Sequence, residues 1–173
     1  FMQTKNLGYN KDHVAVLPIA GKMRNDFQNI REAIAHVTGV EGVTAAYETP
    51  EFVEWGDGIE VTDENGKKEI SLNAMPVDLD FAKTMKMQLI AGRDFQQSDF
   101  AMMDTSNNGE NFRVPYIINE SLLKKIGWTP EQTIGRIINK GVEGPVVGVI
   151  KDFNFSSLRE PIGPLLIFLG RDY

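Results

Sequence analysis

Residues 146–158, VVGVIKDFNFSSL, decide how the rest of the chain is interpreted. They begin with an almost continuous apolar run, which is typical of a strand buried on both faces of a sheet. Lys151 and Asp152 follow at once, and a charged pair in this place is either catalytic machinery or the point where a buried strand reaches water. Because no third partner stands near the pair in the sequence, we interpret Lys151 and Asp152 as solvated charges at the strand end.

Two aromatic residues, Phe153 and Phe155, alternate with a polar residue directly after this strand. Both rings of such an extended segment face the same side. We expect them to pack in the core over the sheet edge, because aromatic side chains usually bury; exposure toward a partner is the alternative. The apolar patterns predict strands at 136–139, 145–151 and 164–169.

The segment before these strands carries helix signals. RVPYIIN (113–119) predicts a strand, and Asn119 is expected to cap the helix that Gly127 ends. Residues 129–132, TPEQ, combine a cap residue, a proline at the first helical position and a glutamine three residues after the cap. This capping-box pattern predicts one more turn of helix.

The first third of the chain predicts a β-α-β unit. VAVLPI (14–19) is short, apolar and β-branched, which is typical of a buried strand. Residues 22–38 place apolar side chains at spacings of four, three, four and three, so they predict an amphipathic helix that Gly39 ends. A second short strand is predicted at 43–50. The apolar stripe of the helix consists of Met23, Phe27, Ile30, Ile34 and Val37.

The middle of the chain predicts a hairpin and a short helix. Asn65-Gly66 lies between two alternating segments, which is a strong signal for a two-residue turn. Residues 78–87, DLDFAKTMKM, predict a helix with Asp78 or Asp80 as its cap. Residues 96–112 are polar and rich in turn formers, and their second half is interpreted as a surface loop.

Composition narrows the classes of function. The chain has 173 residues, of which 42% are apolar and 24% charged, as in a folded domain. Its formal charge of −6 argues against a nucleic-acid surface. The absence of cysteine excludes thiol nucleophiles, disulfides and Cys-based zinc sites. No run reaches the roughly 18 apolar residues of a membrane span.

No residue pattern predicts a catalytic, cofactor-binding or metal site. His13 and His36 have no second ligand at metal spacing, so both are expected to be solvated. The sequence DENG at 63–66 places its glycine too early for a calcium loop and is explained by the hairpin. Ser156 and Ser157 lack the elbow motif of a serine nucleophile, and no glycine-rich phosphate motif is present.

Four short motifs carry a resemblance to a known family: Gly92-Arg93-Asp94-Phe95, Asn119-Glu120, Ile134-Gly135 and Gly148-Val149-Ile150-Lys151-Asp152-Phe153. Each is weak alone, but their order and spacing together are fairly specific, and the likeness spans essentially the whole chain. The chain resembles the MacB-like periplasmic core domain, the extracytoplasmic part of FtsX-like ABC transporter permeases, in the variant of Bacteroides-type bacteria.

The resemblance implies an α+β fold with few helices and mixed or antiparallel sheets, in a single extracytoplasmic core domain over 1–173. A porter-like lobe with a β-α-β opening is implied for about 1–52 and 145–173, and an inserted β-rich lobe for about 53–144. The resemblance also implies a membrane helix before Phe1 and a location at the periplasmic face of the inner membrane. We therefore expect the chain to be a segment of a longer protein.

The implied function is non-catalytic and needs no cofactor. The domain would relay ATPase-driven motion and contact substrate or partner proteins, in export or in an envelope-stress response. The implied partners are a cytoplasmic ABC ATPase subunit, reached through the membrane part of the permease, a second permease copy and a periplasmic protein, but no nucleic acid. The alternative hypothesis is a sensor domain that captures a peptide, lipid or antibiotic in the cleft between the lobes.

One departure from the family concerns the end of the chain. Family members usually continue past LLIFL (165–169) with a strand, a helix and a strand that complete the porter-like lobe, whereas this sequence ends at Tyr173. Either the sequence is truncated here, or the porter-like lobe is half-built and exposes an apolar sheet face. We expect the isolated domain to cover such a face by dimerising or by strand exchange.

Overall fold

A computed structural model describes residues 7–64, 66–106, 108–156 and 161–170, with the backbone but not the side chain of Asn25. The helices in these ranges are α1 (Phe27–Ala35), α2 (Phe81–Thr84), α3 (Glu120–Ile126), α4 (Pro130–Thr133) and two 3-10 helices, Gly21–Asp26 and Gln97–Met103. The strands are β1 (Gly56–Asp63), β2 (Gly66–Val77), β3 (Leu89–Gly92), β4 (Tyr116–Asn119), β5 (Ile137–Asn139), β6 (Glu143–Ile150) and β7 (Leu165–Leu169).

The strands form one mixed sheet that closes on itself. Their order is β3-β6-β4-β7-β2-β1-β5, and β5 also pairs with β6. The pairs β2–β7 and β4–β6 are parallel and the others antiparallel. A single residue pair, Glu60 with Asn139, joins β1 to β5. The predicted α+β class with few helices and a mixed sheet is confirmed. Strands from both predicted lobes lie in this sheet, and the division into lobes stays a prediction.

The centre of the sheet is buried on both faces. β4 lies between β6 and β7, and all four of its residues are buried. In β6, every residue from Val146 to Ile150 is buried. A strand covered on both faces needs apolar side chains at successive positions, which explains the continuous apolar run at 146–150. The strands predicted at 136–139, 145–151 and 164–169 are confirmed as β5, β6 and β7.

β1 and β2 form the predicted hairpin. Asp63 pairs with Gly66, so two residues connect the strands. Gly66 has a φ of 108°, a backbone conformation that side-chain-bearing residues rarely adopt. Asn65 lies outside the described residues.

Asn119 ends β4 and begins α3, as predicted. Its Oδ1 accepts hydrogen bonds from the N–H groups of Leu122 at 3.0 Å and Leu165 at 2.9 Å. Its Nδ2 donates to the carbonyl of Gly163 at 2.9 Å. The same side chain therefore caps α3 and fixes the start of β7, which accounts for its complete burial. Gly127 follows α3 with a φ of 93°, as expected of a helix-ending glycine.

The capping predictions for α2 and α4 are wrong, although both helices form. Thr129 precedes α4 without a side-chain cap bond, and its carbonyl accepts from Thr133 Oγ1 at 2.6 Å. Asp80 precedes α2 with a φ of 57° and also makes no cap bond. Asp78 is buried. The carboxylates of Asp78 and Asp80 both pair with the guanidinium of Arg31 in α1, at 3.1 Å and 3.4 Å respectively. An ion pair with another element thus occupies the carboxylates that were predicted to cap.

The strand predicted at 14–19 is wrong. None of the sheet strands pairs with this segment, and Val14, Val16 and Leu17 are 41%, 67% and 61% exposed. Apolar and β-branched composition describes a fit to a buried pleated surface, and a strand also needs a neighbour that accepts its backbone hydrogen bonds. No described strand lies beside residues 14–19 in this role.

The other two elements of the predicted β-α-β unit form only in part. The helix predicted over 22–38 is a 3-10 helix followed by α1, and none of the residues of α1 is buried. The strand predicted at 43–50 is reduced to one bridge between Ala46 and Val77. The amide of Tyr47 donates to Pro76 at 3.1 Å, so this segment lies along the end of β2 without extending the sheet.

Candidate interaction surfaces

All four family-like motifs meet along β6, and Asn119 of β4 lies opposite Ile150 in the parallel pair of strands. The N–H of Arg93 donates to Val147 O at 3.0 Å, and the N–H of Gly135 donates to Val146 O at 2.8 Å. A Cβ on Gly148 would lie 2.3 Å from Arg93 O, far inside contact distance. Gly148 therefore has to be a glycine, because another backbone segment occupies the space of its side chain. These motif residues build the fold.

The charged residues of the first motif are held by nearby groups. The guanidinium of Arg93 forms two hydrogen bonds with the buried carboxylate of Asp99, at 2.8 and 2.6 Å, and the bond to Asp99 raises the pKa of Arg93. The Asp94 carboxylate accepts from the N–H groups of Lys83 at 2.9 Å and Phe95 at 2.8 Å. Burial nevertheless raises the pKa of Asp94 above its usual value.

The interpretation of Asp152 as a solvated charge is wrong. Its carboxylate accepts from the N–H of Ser121 at 2.9 Å and from Ser121 Oγ at 2.7 Å. The N–H of Asp152 donates to Glu120 Oε2 at 3.0 Å. The carboxylate thus binds the first turn of α3, where unpaired N–H groups and the helix dipole favour negative charge. Lys151 is exposed, as expected.

Phe153 and Phe155 pack in the core, as predicted. Both are buried, and their ring centroids lie 5.7 Å apart in an edge-to-face arrangement. Tyr9 packs against Phe153 with centroids 5.8 Å apart. Burial, with a smaller contribution from the charge of Glu51, raises the pKa of Tyr9 to about 12. The aromatic alternation after β6 therefore attaches the N-terminal segment to the sheet.

The histidines and serines considered as metal ligands or nucleophiles do not form a site among the described residues. His13 and His36 are both exposed, and so is Ser156, while Ser157 lies outside the described residues. No group of three or more His, Cys, Asp or Glu side chains in the described ranges is arranged to hold a metal ion. No helix in the same ranges is long and apolar enough to cross a membrane.

Three aromatic side chains that the sequence reasoning did not single out remain exposed within residues 47–55, and we call them together the aromatic surface. Tyr47, Phe52 and Trp55 are 60%, 62% and 40% exposed. Tyr47 and Trp55 are in edge-to-face contact with centroids 5.7 Å apart. Large aromatic side chains with one exposed face are characteristic of protein interfaces.

A partly buried ion pair supports one side of the aromatic surface. Lys140 Nζ lies 4.8 Å from the ring centroid of Phe168 and 5.3 Å from that of Trp55. The ammonium also pairs with the carboxylate of Asp57. Partial burial pushes the pKa of Asp57 upward, but the hydrogen bond from Lys140, the N–H of Gly58 and the charge of Lys140 outweigh it, so the pKa of Asp57 is lowered.

An open groove of about 660 Å³ follows the junction of β1 and β5, and we call it the seam groove. Its lining is mainly polar: Glu60, Thr62, Asp63, Glu64, Gln132, Arg136, Asn139 and Glu143, with Ile126, Gly127, Trp128 and Ile137. The guanidinium of Arg136 stacks over the ring of Trp128 at 4.6 Å from the centroid. The groove therefore offers charged groups and one aromatic ring.

No protein-family model matches this sequence. No curated protein matches it either. Among solved structures, the extracellular domain of the noncanonic ABC-type transporter YknZ from Gram-positive bacteria is similar with a TM-score of 0.49 and 17% identity, over 82% of this chain and 61% of that one. The chain thus spans less than two thirds of that domain.

Two further structures are similar. A domain assigned to a permease of Porphyromonas gingivalis matches with a TM-score of 0.47 and 17% identity, over 80% of this chain and 54% of the other. The periplasmic region of MacB from Actinobacillus actinomycetemcomitans matches with a TM-score of 0.48 and 15% identity, over 93% and 68%. The three similar structures are thus the extracellular domain of an ABC-type transporter, a domain assigned to a permease and the periplasmic region of MacB.

Proposed function

We propose that this chain is a non-catalytic, extracytoplasmic domain of an ABC transporter permease. It relays motion driven by a cytoplasmic ATPase and contacts partner proteins outside the membrane. One observation carries the proposal: the motifs that resemble the family meet along β6 and at the start of α3, where they serve the fold. Arg93, Asp94 and Asp152 each have structural partners, so their charges are explained without chemistry on a substrate.

The aromatic surface supports the partner contacts. Tyr47, Phe52 and Trp55 together expose far more aromatic area than an isolated surface residue does. Burying such rings against a partner would contribute strongly to association, since tyrosine and tryptophan are frequent among the residues that dominate binding. Substrate transport and the ATPase contact would belong to the parent permease, in which we place this domain as one of a pair.

The seam groove favours partner contact over capture of a small ligand. Sites for small ligands are mostly apolar cavities with a few polar groups that fix orientation. This groove has the opposite character, because polar and charged side chains dominate its lining. We therefore place the sensor hypothesis second.

The cysteine-free sequence allows a direct test of location. A single cysteine at the exposed position of Phe52, introduced into the protein in its native cells, is treated with a membrane-impermeant maleimide before and after lysis. We expect labelling in intact cells, because position 52 is exposed on the domain surface and the proposal places the domain outside the cytoplasmic membrane. Ile118→Cys is the matched control, since it is fully buried and should react only after unfolding. Labelling of Phe52→Cys only after lysis would contradict the proposal.

The coupling to an ATPase is tested with the same variant. We expect an ABC ATPase to be recovered with the affinity-purified protein, and we expect depletion of cellular ATP to change the labelling rate at position 52. A rate that is independent of ATP, together with no recovered ATPase, would contradict the relay function even if the location is extracytoplasmic.

A further inference from the structure

The junction of β1 and β5 is one residue pair long and stops where a second pair would follow. In an antiparallel ladder that pairs Glu60 with Asn139, the next pair of the same kind is Thr62 with Ile137. On their other sides, Thr62 pairs with Lys67 of β2 and Ile137 pairs with Pro145 of β6. In the register of the described strands, Thr62 and Ile137 are not paired with each other or with any other residue across the junction. Both residues line the seam groove.

The backbone polar groups of these two residues face each other across the groove. Groups along a strand alternate between its two edges, so those of Thr62 point to the same edge as those of Glu60, which bridges to Asn139. The same alternation directs the groups of Ile137 toward β1. The seam groove is therefore bordered by two strand edges, each of which can pair with another extended chain.

Side chains of the groove also carry unused hydrogen-bonding capacity. Trp128 Nε1 and Asn139 Oδ1 are buried atoms without a hydrogen-bond partner among the described residues. Buried polar atoms usually have a partner, because leaving one unpaired forfeits the hydrogen bond that it makes with water in the unfolded chain. One is a donor and the other an acceptor, so a small movement of these two lining side chains would offer a bound peptide group one partner of each kind.

The net charge of the groove lining determines whether a positively or a negatively charged partner is favoured. Four carboxylates line it, from Glu60, Asp63, Glu64 and Glu143, against the single cation of Arg136. Lys67 pairs with Glu60 at 2.8 Å and Arg113 with Glu143 at 3.5 Å, and the side chains of the two cations are 70% and 41% exposed. Exposed pairs of this kind contribute little and exchange readily. A cationic partner is therefore favoured.

We propose that the seam groove binds an extended, Lys- or Arg-rich segment of a partner protein, added as a strand between β1 and β5. Main-chain bonds to Thr62 and Ile137 would supply affinity, and the carboxylates would select basic side chains. The inference deepens the partner-contact part of the proposed function. Because it is tested on the purified chain, its failure would leave the result of the labelling experiment intact.

The first test compares three synthetic peptides. The 173-residue chain with Trp55→Phe retains Trp128 as its only tryptophan, so Trp128 fluorescence reports on the groove. The probes are KVKVKVK, the same peptide with alternate backbone nitrogens methylated, and EVEVEVE. We expect KVKVKVK to change the fluorescence saturably and to slow amide exchange at Thr62 and Ile137. The methylated and the acidic peptide should bind at least about tenfold more weakly.

The second test changes the protein. The double variant Glu64→Lys, Glu143→Lys should weaken binding of KVKVKVK about tenfold or more, because it reverses two charges of the lining. Glu32→Lys is the control, since Glu32 is exposed on α1 and does not line the groove; its binding should stay within about twofold of the parent chain. If the methylated peptide bound as tightly as KVKVKVK, binding would be explained by charge attraction alone and strand addition would be overturned. No saturable binding of KVKVKVK would also overturn it.

Discussion

Gly148 shows how a single residue decides whether two segments can meet. It lies in the centre of β6, and the carbonyl of Arg93 occupies the place where a Cβ would be, at 2.3 Å. Gly144, on the same strand, is in a similar position against Val114 O. Glycine is usually unfavourable inside a strand, so its presence here reflects the close approach of a second backbone.

We expect Gly148→Ala to destabilise the fold by roughly 1–3 kcal/mol, because a methyl group at this position forces the strand and the Arg93 backbone apart. Gly58→Ala is the matched control: this glycine also lies in a strand, but the nearest atom to its Cβ would be Ile70 O at 3.8 Å. The control should stay within about 0.5 kcal/mol of the parent chain. Urea unfolding measures both, and equal stability of the two variants would contradict the steric explanation.

Residues with local roles were predictable and residues with distant partners were not. Asn119 and Gly127 were assigned from neighbouring sequence alone, because a cap acts within one helical turn. Asp152 was misjudged because its partner, Ser121, is 31 residues away in sequence. The aromatic surface was missed for a related reason: Tyr47, Phe52 and Trp55 occur close together in sequence, but only the fold shows that all three remain exposed.

At the scale of elements, periodicity predicted that helices and strands exist but not what covers them. The apolar stripe of α1 lies on a helix as predicted, yet none of its residues is buried. The segment 14–19 has the composition of a strand and lacks a neighbour in the sheet. By contrast, the β1–β2 hairpin was predictable because both partners and the turn are adjacent in sequence.

The contact of β1 with the turn after β5 predicts how stability depends on pH. The pKa of Asp57 is lowered in the folded state by its pairing with Lys140, so the pair contributes fully above the unfolded value of about 3.9. This contribution is lost as the pH falls through the lower folded pKa. We expect Asp57→Asn to be less stable than the parent chain near neutral pH, and the difference to shrink below about pH 4.

Chemical denaturation between pH 7 and pH 2 measures this dependence. Asp12→Asn serves as the control, because Asp12 is exposed and removing its charge should leave the shape of the curve unchanged. A difference between Asp57→Asn and the parent chain that is constant over the whole range would show that the ion pair does not carry the effect.

The closure of the sheet is a property of the whole molecule, and no local sequence pattern predicts it. Closure depends on the pairing of Glu60 with Asn139. The sequence pattern around each of these residues predicts a strand but not that the two strands pair. The order of the strands also places β7, the last strand in sequence, between β2 and β4. The α+β class was implied by the resemblance to the family, whereas the ring required the contacts between distant segments.

The exposed stripe of α1 predicts that the purified chain self-associates. Phe27, Ile30 and Ile34 of α1 are only partly buried, and Met23 and Val37, which flank α1, are 37% and 56% exposed. Apolar surface of this kind is normally covered by a partner. We expect a concentration-dependent increase in mass in light scattering, and we expect Ile30→Gln with Ile34→Gln to abolish it. Glutamine retains helix propensity, so the change acts on the surface.

Glu32→Gln on the opposite face of α1 is the control for this prediction and should associate like the parent chain. A sample that remains monomeric at all concentrations would show that the stripe does not promote self-association.

The single pair that joins β1 to β5 has a consequence for how the domain bears load. A force applied around the ring acts on every joint equally, but the other joints of the ring contain three or more residue pairs. The Glu60–Asn139 joint therefore yields first, while the remaining strands stay paired. Tension across this joint would convert the ring into an open sheet, so we expect the domain to yield along this direction before any other.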